Sequence, residues 1–161
     1  MAEFRGIHDC VFSVHICRTL TEMEATRNES LAVLEGLGSN ITKRLGDVEL
    51  GKSIRIFAKD KENKVVGGIV GDVFGKYVYV AQLWVLESLR NKGCGTRLLN
   101  MAEEQAMELG CEYAHTDTYT FEARPFYERN GYELFGMLSD YVEGHSKCFL
   151  KKTLEKGRKP V

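Results

Sequence analysis

The chain has 161 residues, of which 43% are hydrophobic, and its formal net charge is −1. A chain of this length suits one domain that buries about 68–70% of its unfolded surface, and the near-zero charge gives no electrostatic basis for binding nucleic acid or a membrane. No apolar run approaches the ~20 residues of a membrane span, and the first residues lack the apolar core of a signal peptide. These features predict a cytoplasmic protein.

Five cysteines are scattered along the chain. They form an odd set without any Cys-x-x-Cys pair, which argues against a disulfide framework and against a zinc site. We therefore expect reduced thiols and no bound metal. The cysteines are Cys10, Cys17, Cys94, Cys111 and Cys148.

The first third of the chain predicts a strand followed by a helical region. Residues 12–17 alternate between apolar and polar side chains, which is typical of a half-buried strand with His15 on the solvent side. Thr21, with Glu24 three residues later, resembles a helix N-terminal capping box. The helix is expected to end near residues 36–38, with another helical turn or two at 41–45. The acidic residues of this region have two interpretations: they form a solvated helix face, or they attract a cationic amine.

Two further strands are predicted at residues 53–58 and 65–74. The polar turn at 60–64 between them indicates an antiparallel meander. Glycines lie at positions 67, 68 and 71 in the second of these strands. Because glycine weakens a strand, it usually marks a bulge or a close approach of backbone.

Residues 77–85 form the most continuous apolar run in the chain. Gln82 is its only strongly polar side chain, so the run predicts a strand that is covered on both faces. Strict alternation would place Tyr79 and Leu83 on one face and Gln82 and Trp84 on the other.

A basic, glycine-containing turn at residues 90–95 follows this strand and leads into a predicted helix at 96–109. The first amides of a helix have no intrahelical partner and lie at the positive end of its dipole. Glycines at 93 and 95 leave the backbone open to a ligand, and Arg90, Lys92 and Arg97 add positive charge. The turn therefore predicts a phosphate site. An ordinary strand-to-helix turn with solvated basic residues is the alternative for this motif alone.

The last third predicts a strand at residues 111–118, which should lie parallel to the central strand because a helix connects the two. A short helix is predicted from about Arg124 to Asn130, because Pro125 is tolerated only near a helix start, and Gly131 ends it. Two final strands are expected at 132–138 and 147–154. The segment between them, which contains Asp140, Tyr141 and His145, is predicted as a loop, and residues 155–161 as a disordered tail.

Two motifs together resemble the GNAT superfamily of N-acetyltransferases. The first is Arg-x-x-Gly-x-Gly at residues 90–95, between a hydrophobic strand and an amphipathic helix. The second is the segment 123–132, Ala-Arg-Pro-Phe-Tyr-Glu-Arg-Asn-Gly-Tyr. The resemblance covers roughly residues 65–154. It implies a single α/β domain over residues 1–161, with its core at about 11–154 and a mixed, mostly antiparallel central sheet flanked by helices.

The resemblance also implies acetyl-CoA as cosubstrate. Its phosphates would bind the amides of residues 91–96, and its pantetheine arm would pair with the central strand beside a bulge. Where many members of the family have Asn, this chain has Thr120, whose hydroxyl offers a different bond to the arm. The residues assigned to the cosubstrate are Leu83, Trp84, Val85, Arg90, Asn91, Lys92, Gly93, Cys94, Gly95, Thr96 and Thr120.

Tyr127 corresponds to the family tyrosine that protonates the leaving thiolate, although a core aromatic residue is the plainer interpretation. Several residues remain open as the base, and a proton path through water needs none of them. The base candidates are Asp72, Tyr79, Gln82, His115, Asp117 and His145.

The sequence thus predicts an enzyme that transfers an acetyl group to a primary amine of a small molecule or peptide by direct attack. The resemblance also allows a homodimer formed through the last strands. A catalytically silent module that binds acyl-CoA is the alternative. A dinucleotide-binding domain is disfavoured, because its motif requires a third glycine where this chain has Leu98.

Overall fold

The computed structural model describes residues 11–17, 27–46 and 51–155. The predicted helix start at Thr21, the side chain of His15 and the tail beyond residue 155 lie outside this description. A 3₁₀ turn at Glu87–Leu89 lies between the fourth strand and the helix that follows it. The elements are β1 (Val11–Cys17), α1 (Arg27–Leu45), β2 (Lys52–Lys59), β3 (Val65–Phe74), β4 (Tyr77–Val85), α2 (Cys94–Glu108), β5 (Tyr113–Tyr119), α3 (Arg124–Arg129), β6 (Glu133–Val142) and β7 (His145–Thr153).

The strands form one seven-stranded sheet in the order β1-β2-β3-β4-β5-β7-β6. Neighbouring strands are antiparallel except β4 and β5, which are parallel because α2 carries the chain back over the sheet between them. This confirms the expected mixed, mostly antiparallel sheet. It also contradicts a dinucleotide-binding fold, which requires consecutive parallel strands.

One face of the sheet packs against α2 and forms the core. The side chains on this face are mostly aliphatic, since each strand contributes every second residue to it. The buried core residues of the sheet include Ile54, Ile56, Ile69, Val73, Val78, Val80, Ala114 and Leu150, and those of α2 are Cys94, Leu98, Leu99, Ala102 and Ala106.

The prediction that the first helix ends near residues 36–38 is wrong, because α1 continues without a break to Leu45. A glycine inside a helix costs only about 1 kcal/mol relative to alanine, and Gly36 and Gly38 therefore do not end the helix. A Cβ at either position would meet nothing within 4 Å. The helix ends instead at Gly46, which has a φ of +75°. None of the helices within the described ranges is long and apolar enough to cross a membrane.

The predicted loop between the last two strands is also wrong. Asp140 and Tyr141 belong to β6, and His145 is the first residue of β7. The two strands are joined by Glu143 and Gly144 alone, both at positive φ. This is the geometry of a two-residue hairpin turn, and its twist matches that of the flanking strands.

Candidate active site

The site begins where β4 and β5 separate. Their parallel pairing ends at Val80 and Thr116. The residues of β4 that follow Val80 stay paired with β3, but Ala81 is an extra residue between Val80 and Gln82 that no residue of β3 opposes. This bulge turns β4 away from β5. As a result, β4 up to Val85 carries a row of backbone N–H and C=O groups on the side that no longer faces a paired strand.

The bulge also changes which side chains share a face of the sheet. Because Ala81 adds one residue, Leu83 returns to the face of Val80, and Gln82 and Trp84 share the face of Tyr79. The cross-strand partners and their burial agree with this assignment. The strict alternation predicted from the sequence is therefore wrong beyond residue 80. Gln82 and Trp84 lie on the face of the sheet opposite α2.

The turn that follows β4 leads the chain into the N-terminus of α2. Asn91 and Gly93 both have positive φ, at 57° and 80°, and no side chain of the described residues caps the helix. The first intrahelical bond runs from the amide of Arg97 to the carbonyl of Gly93, at 3.0 Å. Gly95 and Thr96 lie between them, at the positive end of the helix dipole, where backbone amides suit an anionic ligand. The Nε of Arg90 donates to the carbonyl of Val85, at 3.1 Å, and this bond ties the guanidinium to the end of β4.

The two glycines of the turn have different roles. Gly93 needs its positive φ, and a Cβ there would point into open space. A Cβ at Gly95 would lie 3.3 Å from the ring of Phe126 and 3.8 Å from the side chain of Val85. Gly95 therefore allows α3 to pack closely on the start of α2, which the sequence motif alone does not indicate.

An open cleft of about 1770 Å³ runs from this turn to the point where β4 and β5 separate. Three predicted ligand residues are not part of its lining. Lys92 is exposed and Cys94 is buried. The amide of Thr120 donates to the carbonyl of Ser146 at 3.0 Å, and the amide of Ser146 donates to the Thr120 hydroxyl at 3.2 Å. The predicted residues that line the cleft are Leu83, Trp84, Val85, Arg90, Asn91, Gly93, Gly95, Thr96 and Tyr127.

Tyr127 lies on the α2 side of the separation point and is only 4% exposed. Burial raises the pKa of its phenol, and a hydrogen bond with Thr116 opposes this more weakly. The Thr116 hydroxyl also donates to the carbonyl of Val80, at 2.9 Å. These contacts hold a protonated phenol beside the last paired residues of β4 and β5.

A second polar group lies on the opposite face, next to the same point. The Tyr79 hydroxyl donates to one oxygen of Asp117 at 2.5 Å, and the Lys147 ammonium lies 2.8 Å from the other. Burial raises the pKa of Tyr79 to about 12, with the bond to Asp117 acting in the same direction. Burial also opposes ionisation of Asp117, but the bonds from Lys147 and Tyr79 outweigh it and lower the pKa of the carboxyl.

The base candidates are therefore not equivalent. Gln82 and Asp117 line the cleft, whereas Asp72 accepts a hydrogen bond from Ser53 at 2.9 Å, one strand farther away. His115 stacks on the Tyr79 ring at 4.9 Å, and burial lowers the pKa of its imidazole. His145 makes an edge contact with Phe121, at 4.7 Å.

Sequence reasoning missed Thr116, Phe121 and Lys147 as residues of this site. Thr116 and Lys147 reach it through the pairings of β5 with β4 and with β7, and pairings between distant segments leave no local signal. Phe121 lies just past the end of β5. An aromatic residue at that place, just past a predicted strand, is the sequence signal that could have indicated it as a site residue. Among the described residues, no group of three or more His, Cys, Asp or Glu side chains lies close enough to share a metal ion.

Comparisons with known proteins agree with this geometry. The sequence profile of the acetyltransferase (GNAT) family matches residues 26–132. The chain is 37% identical over 101 residues to acetyltransferase Atu2258 of Agrobacterium fabrum (strain C58 / ATCC 33970), a match covering 63% of this chain and 74% of that protein. It is 36% identical over 99 residues to a blasticidin-S acetyltransferase of Streptomyces morookaense, covering 61% and 73%. The crystal structure of an acetyltransferase from Bacillus cereus ATCC 14579 is similar with a TM-score of 0.74 and 30% identity, covering 84% of this chain and 98% of that chain.

Proposed function

The chain belongs to the acetyltransferase (GNAT) family and is an acyltransferase, and from this we propose that it transfers the acetyl group of acetyl-CoA to a primary amine by direct attack. The separated edge of β4, which leads to the uncapped N-terminus of α2, carries the proposal. Both features offer backbone amides to one extended anionic ligand. The strand edge would bind the extended arm of this ligand, and the helix start would bind its phosphates. We assign the residues lining the cleft between Leu83 and Thr96 to this ligand.

The chain's own groups fit the demands of the reaction. A backbone amide among residues 83–85 would stabilise the negative charge that forms on the thioester oxygen. The amine nitrogen forms the new bond to the carbonyl carbon, and the carbon–sulfur bond then breaks. The Tyr127 phenol lies on the α2 side of this point and would give its proton to the departing thiolate, while the proton lost by the nitrogen passes to water.

The acceptor amine has to arrive without its proton. A primary amine with a pKa of about 10.4 is less than about one part in a thousand neutral at pH 7, so desolvation or a base has to shift that balance. Asp117, on the face opposite Tyr127, would accept a hydrogen bond from the nitrogen. Its depressed pKa makes it a weak base, so we assign the final removal of the proton to water.

The acceptor is proposed to be a small molecule or a peptide bearing a primary amine. One relative is named for acetylation of blasticidin S, and this compound belongs in the first screen. We also propose that the chain acts as a single domain in the cytoplasm and forms a homodimer through β6.

Two measurements test the proposal. Calorimetry of the full chain with coenzyme A should show saturable binding, and incubation with acetyl-CoA and a panel of amines should release free thiol in proportion to acetylated amine. Binding without thiol release for any amine would instead support a silent acyl-CoA-binding module. Absence of coenzyme A binding would refute the assignment of the cleft.

A further inference from the structure

The face of the sheet opposite α2 is rich in aromatic side chains around the cleft. Tyr119 and Phe121 stack in parallel with ring centroids 5.2 Å apart. Tyr141 from β6 lies 6.0 Å from Tyr119, and His145 meets the edge of Phe121 at 4.7 Å. By contrast, the buried face beneath α2 is mostly aliphatic.

Two exposed aromatic residues stand on opposite walls of the cleft. Trp84 lies on β4 beyond the bulge and is 49% exposed, and Phe121 follows β5 and is 56% exposed. Both line the cleft, as does Asp117 nearer the point where the strands separate. Exposed apolar side chains that stand singly need no explanation, but large aromatic residues that line the same cleft form an apolar surface that suits a ligand. We call the part of the cleft between Trp84 and Phe121 the aromatic mouth.

The charges next to the aromatic mouth do not suit a polycation. Asp117 already has the Lys147 ammonium 2.8 Å from one oxygen, so the pair carries no net charge. Lys147 also lies over the rings of Tyr119 and Tyr141, at 6.0 and 5.4 Å from their centroids. Cationic sites on these rings are thus partly occupied by the protein's own ammonium. A second ammonium close to Asp117 would meet the Lys147 cation, and Glu122, the carboxylate of the cleft lining beside Phe121, accepts a hydrogen bond from the Thr118 hydroxyl at 3.3 Å.

We propose that the aromatic mouth selects acceptors whose amine is borne on a carbon next to a planar aromatic or heteroaromatic ring, with Trp84 and Phe121 contacting the ring. This inference rests on the proposed acetyl transfer and specifies its substrate class. A flat ring gains offset-stacked or edge contacts with aromatic walls that a puckered or linear group of the same size does not. With the ring between the walls, the amine would point inward, towards Asp117 and the separation point.

The single tryptophan of the chain provides a binding measurement that does not depend on turnover. Trp84 is the only residue of its kind, so its fluorescence reports directly on the aromatic mouth. With coenzyme A present, benzylamine should quench this fluorescence in a saturable way. Cyclohexylmethylamine, which has the same carbon skeleton without a planar ring, should bind about tenfold more weakly, the size expected of one or two aromatic contacts. Spermidine tests the polycation alternative.

A matched pair of variants connects the preference to the mouth. Phe121→Leu should reduce the preference for benzylamine to about threefold or less, mainly through KM, while coenzyme A affinity stays unchanged. Phe74→Leu is the control, because Phe74 is 52% exposed but lies at the end of β3, outside the cleft lining. It should retain the full preference. Rates are compared at equal concentrations of neutral amine, so that differences in amine pKa do not contribute.

The outcomes separate this inference from the proposed function. Equal affinities for the two ring compounds, tighter binding of spermidine, or an unchanged preference in Phe121→Leu would overturn it even if acetyl transfer is observed. Selective quenching by benzylamine without thiol release would support the aromatic mouth and refute acetyl transfer instead.

Discussion

Two tyrosines flank the point where β4 and β5 separate, one on each face of the sheet. Tyr127, on the α2 side, has its pKa raised chiefly by burial, and Tyr79, on the other side, has a pKa of about 12 because of burial and its bond to Asp117. Both phenols therefore stay protonated across the neutral range. The Tyr79 proton is already engaged by Asp117, so Tyr127 is the phenol suited to donate a proton to a leaving group.

Replacing Tyr127 with Phe is expected to lower kcat about 100-fold, near the lower limit for general acid catalysis, because a thiolate is already a good leaving group. The KM for acetyl-CoA should change little. Since burial raises the pKa of Tyr127 above that of a free phenol, ionisation of this phenol should cause no loss of wild-type activity across the neutral range. Steady-state rates from pH 6 to about pH 10 provide the measurement. Tyr113→Phe, which changes a tyrosine outside the cleft, is the control, and an unaltered kcat in Tyr127→Phe would remove the assignment.

Replacing Lys147 with Met should make the stability of the fold less dependent on pH in the acid range. The pKa of Asp117 is lowered from 3.8 in the folded state, so its interactions stabilise the fold above that pH and are lost as the pH falls through the folded value. Lys147 contributes to the lowering; without it, the folded and unfolded pKa values of Asp117 lie closer together, and the variant has less stability to lose as the pH falls. At neutral pH the variant should lose about 1 kcal/mol, because the pair is only partly buried.

Urea unfolding between about pH 2 and pH 7 measures this effect, since the stabilisation by a carboxylate with a depressed pKa is lost below about pH 5. Lys151→Met is the matched control, because Lys151 lies on the same strand with its ammonium 5.9 Å from the ring of Phe135. Its pH dependence should follow that of the wild type. If the two variants lose stability in parallel as the pH falls, the coupling between Lys147 and Asp117 is not significant.

At the scale of elements, we expect ligand binding to depend on the turn before α2. Gly93 and Gly110 have positive φ of +80° and +92°, and a Cβ at either would meet nothing within 4 Å. Alanine at each position should therefore cost a similar amount of stability, about 1–2 kcal/mol. Only Gly93→Ala places a methyl group in the lining of the cleft, and it should weaken coenzyme A binding at least tenfold by calorimetry. Equal affinities in the two variants would contradict the assignment of the turn to phosphate.

The elements also show how far local sequence patterns reach. The bounds of β3 and β4 agree with the predicted 65–74 and 77–85 to the residue, because continuous apolar runs are bounded by a polar turn and by Gly75-Lys76. The bulge at Ala81 has no such signal, since alanine fits an extended strand as well as a bulge. Its consequence is large, however, because it moves Gln82 and Trp84 to the face of Tyr79. The partner of Asp117 was equally hidden, because Lys147 reaches it only through the pairing of β5 with β7.

At the scale of the whole molecule, the sheet has two unlike faces that meet in one gap. The aliphatic face beneath α2 supplies most of the buried core and positions the helix start and Tyr127. The other face carries Asp117, its partners and the aromatic mouth. A sheet that stayed fully paired would separate these faces, so the divergence of β4 from β5 is what allows groups on both sides to act on one reacting carbon.

The outer edge of the sheet predicts how two copies associate. Within residues 11–17, 27–46 and 51–155, β6 pairs only with β7. Its segment 134–138 is Leu-Phe-Gly-Met-Leu, with four exposed large apolar residues and no charge. Edge strands of monomers usually carry charges or proline that prevent pairing, so this edge is expected to pair in a homodimer. Sedimentation equilibrium should give twice the 18.2 kDa of one chain. Met137→Lys should give monomers, whereas Val65→Lys, at an exposed apolar position on β3, should not. A wild-type chain that sediments as a monomer at micromolar concentration would show that β6 tolerates water without a partner.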